Sequence, residues 1–113
     1  MPDGACNPYI ATAAVLQAAR LGVVNELVPP EREMGDGIES ISTDRRVAEH
    51  LAGALDDLVA DTELVEAVGA DLVANLVGVK RHEWEQYTRA EGEWSATNDR
   101  ITDWEWNWYF PFH

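Results

Sequence analysis

The stretch NPYIATAAVLQAARLG, residues 7–22, sets the tightest limit on what this chain can become. Asn7 is a good N-cap, and Pro8 follows at the first helical position, where a missing N–H costs nothing. Tyr9, Ile10, Ala13, Ala14, Leu16, Gln17 and Leu21 then spread over a broad, mostly apolar face, and Gly22 stands where a glycine would end the helix. Ala11, Ala13, Ala14, Ala18 and Ala19 favour helix and let another backbone approach closely, yet each buries little area. Such a helix is not stable alone in water. It is expected to need a large neighbour, and the six residues before its cap are too few to supply one.

The rest of the chain reads as more helix. Pro29, Pro30, Gly35 and Gly37 mark residues 29–42 as a surface connection. A helical period returns at Asp44, with Val47, Leu51, Leu55, Leu58 and Val59 on one stripe. Asp61 can cap the short segment TELVEAV, which Gly69 breaks. A longer helix is expected from about Asp71 to Ala90. Leu72, Leu76, Val79, Glu83 and Tyr87 form one line along it, and Val73, Val77, Lys80, Trp84 and Tyr87 the next. Strand-like alternation is absent, so the isolated chain is predicted to be all-α.

Charge removes whole classes of partner. Twenty-one Asp and Glu against eight Lys and Arg leave 113 residues with a net charge of −13. That surface repels phosphate backbones and anionic lipid, so neither nucleic acid nor membrane is expected as a partner. No apolar run approaches the ~18 residues of a membrane span, and a cytoplasmic location is expected. The single cysteine, Cys6, can form neither an internal disulfide nor a thiolate cage, and is expected as a small buried residue in a reducing compartment.

The tail is rich in aromatics. After the polar EGEWSATN, the segment ITDWEWNWYFPFH opens with Thr102-x-x-Glu105, a capping box. Trp104, Trp106, Trp108, Tyr109, Phe110 and Phe112 then crowd one short helix, which cannot bury aromatics on all sides by itself. Packing within the fold, a subunit contact and ligand stacking are all open readings. No catalytic set accompanies it. His50, His82 and His113 are scattered, His82 shares its helix face with Gln86 rather than a second ligand, and sequence spacing identifies no base for Cys6 or Ser95. Catalytic, cofactor-binding and metal residues are all expected to be none.

The order of segments resembles the glutamine synthetase family. Asp3, Ala5, Asn7, Pro8, Tyr9, Ala11, Ala13 and Ala14 match the family's Asp, small residues and Asn-Pro-Tyr leading into an alanine-rich helix. VPPERE resembles the loop that follows, and Lys80, Arg81, Glu83, Trp84 and Glu85 the end of its helix pair. Thr102, Asp103, Trp104, Glu105 and Tyr109 are similar to its C-terminal aromatic helix. The short loop between Pro30 and Ser42 holds no tyrosine, and in this the chain is more similar to ligases making glutamine or γ-glutamyl amides than to the regulated bacterial enzyme.

The resemblance implies the helical C-terminal portion of an α+β catalytic domain, over 1–113. Its parts are the Asn-Pro-Tyr helix (1–28), a loop (29–42), helices (43–90) and a connection with the aromatic helix (91–113). It implies an ATP-dependent ligase that joins ammonia or an amine to the glutamate γ-carboxylate, with ATP and Mg or Mn belonging to the full-length enzyme. The family's metal glutamates, histidine and phosphate-holding arginines precede Asn-Pro-Tyr, so none transfers to this sequence. What transfers is a structural motif: Asn7, Pro8, Tyr9, Trp84, Thr102, Asp103, Trp104 and Glu105. The implied partner is the rest of the catalytic domain or further copies of the chain, Met1 matches an internal position of a longer enzyme, and the chain alone is expected to be inactive. The alternative is a standalone small acidic helical interaction protein docking through its aromatic tail.

Overall fold

The computed structural model describes residues 6–32, 34, 47–95 and 100–110. Among them the regular structure is helical, with no strand: α1 Pro8–Val24, α2 Leu51–Ala60, α3 Thr62–Val68, α4 Ala70–Glu91 and α5 Asp103–Tyr109. The expected all-α chain is what forms.

Four of the five described helices begin where a side chain can satisfy their first amides, while α4 follows Gly69 without a side-chain cap. Asn7 Oδ1 accepts from the N–H groups of Tyr9 at 3.0 Å and Ile10 at 3.3 Å. Asp61 accepts from Leu64 N–H at 3.0 Å, and the Thr102–Glu105 capping box closes in both directions. Gly69 (φ 118°) and Gly92 (φ 89°) bracket α4 in backbone conformations that a Cβ disfavours.

Two expectations about helix ends fail. Gly22 does not stop α1, which runs on to Val24. The reversal comes four residues after Gly22: Leu27 N–H returns to Gly22 C=O at 2.9 Å, Glu26 N–H to Val23 C=O at 3.2 Å, and Glu26 takes φ 50°. This is a Schellman end with glutamate in the left-handed place. The second helix starts at Leu51 rather than Asp44, because His50 Nδ1 accepts from Gly53 N–H at 3.1 Å. Val47 therefore leaves the predicted stripe and is 93% exposed, while Asp44 lies outside the described residues.

α2 and α4 run antiparallel, with His50 against Trp84 at one end and Asp56 bonded to Arg81 further along. Each contributes one of the two buried apolar residues of the described chain, Leu55 from α2 and Val73 from α4, both 4% exposed. The second of the two lines on α4, through Val77, Lys80, Trp84 and Tyr87, turns inward; Leu72 and Val79 of the first stay exposed. α5 folds back along the C-terminal half of α4, with Trp104 beside Tyr87 and Tyr109 beside Glu83.

α1 stands apart. Among the described helices it touches only α3, through the half-buried Ile10, Ala13, Ala14, Gln17 and Leu21 side. Asn25 Nδ2 pins its end by donating to both oxygens of Glu63, at 2.9 and 3.0 Å. Seventeen residues make a rod of about 25 Å, and the seven-residue α3 supports about 10 Å of it. The opposite face (Tyr9, Val15, Leu16 and Val23) is apolar and exposed, although Tyr9 and Leu16 were expected on the covered side. Cys6, expected buried, is exposed beside it.

Candidate functional site, an acidic aromatic cleft

Helical spacing builds the cleft. On α4, Trp84 and Tyr87 are three residues apart and stack at 5.6 Å, presenting rings on one side. On α5, Trp104 and Trp108 stack one turn apart at 5.2 Å, while Trp106 and Phe110 stack at 4.2 Å on the opposite side. Trp104 meets Tyr87 of α4, while Trp108, Trp106 and Phe110 remain exposed, Trp106 by 56%. His50 stacks on Trp84 at 5.3 Å, and Trp94 sets its edge against His50 at the same distance. Since His50 accepts at Nδ1, the proton of the neutral ring lies on Nε2.

These rings enclose a concavity of about 280 Å³ bordered by Glu49, Glu83 and Glu105. Glu83 Oε2 bonds Lys80 Nζ at 2.7 Å and accepts from the Tyr109 hydroxyl at 3.1 Å. Glu105 Oε2 accepts from Thr102 N–H at 2.8 Å and Thr102 Oγ1 at 2.9 Å. Burial, followed by the charges of Glu105 and Glu91, pushes the Tyr87 phenol above its ordinary value. Three carboxylates thus border the cleft, one of them paired with Lys80.

Of the eight motif residues, the fold gathers Trp84, Trp104 and Glu105 at the cleft. Thr102 and Asp103 stand at the start of the helix that forms its wall. Asn7 caps α1 and Pro8 and Tyr9 open it, and α1 touches neither α4 nor α5. Tyr9 is 85% exposed. Beside it, Cys6, Ala11, Thr12, Val15 and Leu16 line a second, apolar hollow of about 300 Å³. His50 and Trp94 were not singled out from sequence. His82 is a surface residue against Gln86 at 2.6 Å, as its helix spacing indicated.

The sequence model of the family described as glutamine synthetase, catalytic domain, matches residues 1–109. This chain belongs to that family. It is 33% identical over 107 residues to the glutamine synthetase of Methanocaldococcus jannaschii, an alignment covering 84% of this chain and 22% of that protein. It is 32% identical over 102 residues to the glutamine synthetase of Halobacterium salinarum, covering 84% and 22%. It is also 32% identical over 118 aligned positions to the glutamate–methylamine ligase of Methyloversatilis universalis, covering 99% and 24%. The chain thus spans about a quarter or less of the length of these relatives. No solved structure matches it.

The described residues do not fit the ATP and divalent metal that the family resemblance implies for a full-length enzyme. Among the described residues no three His, Cys, Asp or Glu side chains group as metal ligands. The cleft's carboxylates repel a triphosphate, and Lys80, outside the lining, is already held by Glu83. No described helix is long and apolar enough to cross a membrane.

Proposed function

We propose that this chain serves as the helical C-terminal layer of a glutamine synthetase-like ligase catalytic domain. The whole enzyme joins ammonia or an amine to the glutamate γ-carboxylate at the expense of ATP; this layer shapes and supports it without carrying the chemistry. The observation that carries the reading is the family match across 1–109, set against relatives four or more times longer. The uncovered face of α1 adds physical support. An apolar rod resting on one short helix is suited to backing a larger body, and burial at about 25 cal/mol per Å² is realised only when that body is present.

The partners of this layer are the remaining catalytic domain or further copies of the chain, and its compartment is the cytoplasm. A standalone interaction module would draw on the solvent-facing Trp106–Phe110 stack. That stack concerns the tail alone, whereas the family match accounts for nearly the entire chain.

The test is direct. Purified full chain is incubated with ATP, glutamate, Mg²⁺ or Mn²⁺, and ammonium or methylammonium, and released phosphate is measured. No release above a mock preparation is expected. Turnover dependent on both glutamate and amine overturns the reading.

A further inference from the structure

The walls of the aromatic cleft and its charge favour the same guest. Trp84, Tyr87, Trp104 and Tyr109 surround the hollow, and Glu49, Glu83 and Glu105 border it. Rings attract cations through their quadrupole, carboxylates through their charge. An anion is repelled there, and a neutral apolar guest has to strip water from carboxylates without compensation. The chain already displays this preference on a small scale. Lys80 Nζ is held by Glu83 at 2.7 Å and stands 5.8 Å from the centre of the Tyr109 ring. The Tyr87 phenol is displaced upward first by burial and then by the charges of Glu105 and Glu91. At about 280 Å³ the hollow lies near the lower end of ligand sites, about 300 Å³, so the guest is small.

We infer that the cleft between α2, α4 and α5 binds a small organic ammonium ion, its N-alkyl groups against the Trp84 and Trp104 rings and its charge toward Glu49 and Glu105. A methylated ammonium suits the site best. Its charge is spread over carbon that can touch the rings, and it gives up less hydration than a bare ammonium. The inference concerns only residues of this chain. It stands whether or not the chain supports a ligase.

Choline and 3,3-dimethylbutan-1-ol make a decisive pair of probes, because they share a shape and differ in charge. Tryptophan fluorescence of the full chain is titrated with each at low ionic strength. A saturable response to choline, absent with the alcohol and weakened by added salt, is expected. Two variants outside the helices check the placement: Trp94→Leu removes part of the aromatic wall and Glu49→Gln removes a carboxylate. Each is expected to weaken choline binding about two- to fivefold, the range of a partly exposed cation–π contact or an exposed ion pair, with the far-ultraviolet circular dichroism unchanged. No saturable response to choline overturns the inference. So does an equal response to the alcohol, or wild-type affinity in both variants.

Discussion

Tyr87 couples the cleft to pH. Its phenol is raised above the ordinary value of 10.0, first by burial and then by Glu105 and Glu91. As pH rises past 10, the unfolded chain loses this proton before the folded chain does, so unfolding releases a proton and stability falls. The contribution is complete below the unfolded value and is lost as pH climbs through the folded one. Tyr87→Phe is expected to flatten the alkaline decline, measured as urea midpoints between about pH 9 and about pH 11; an unchanged decline contradicts the assignment. The residues legible from sequence were those whose partners lie close by. Asn7, Asp61 and Thr102 each cap amides two or three positions away, so spacing alone located them. His50 escaped because histidine is not among the favoured caps, and because its ring partner Trp84 lies on another helix. Trp94 escaped inside a stretch read as a polar connection.

At the level of elements, α5 depends on its cap more than the longer helices do. Seven residues give few internal hydrogen bonds, and the helix is held by the capping box, by Glu91 accepting from Trp104 N–H at 3.3 Å, and by Trp104 and Tyr109 against α4. Thr102→Ala is expected to cost about 1 kcal/mol. It should show as lost helicity and a red shift of tryptophan emission, while Asn107→Ala on the exposed side leaves both unchanged. Wild-type spectra for Thr102→Ala contradict the role given to the cap. The helix ends were less legible than the starts. Glycine at position 22 pointed to a stop, but the turn placed its left-handed residue at Glu26, where no sequence preference would put it. Likewise the apolar stripe of α2 was extended back to Val47, because periodicity does not register where a cap intervenes.

For the whole molecule, the governing fact is how little of the described chain is enclosed. Leu55 and Val73 alone are buried, while α1 leaves a complete apolar side uncovered on its short support. Composition pointed there early, since small side chains on a helix are useful only against a broad surface. It could not say which side would stay open, because both sides of α1 are apolar and only contact with α3 distinguishes them. In the function proposed above, that open side is the seat for a larger catalytic body. The measurement that reaches this claim most directly is calorimetric melting of the isolated chain, run beside binding of an apolar fluorescent dye. A shallow, weakly cooperative transition with strong dye binding in the cold is the predicted result. A sharp two-state melt of a monomer that excludes the dye and absorbs about 0.7 kcal/mol per residue would contradict it.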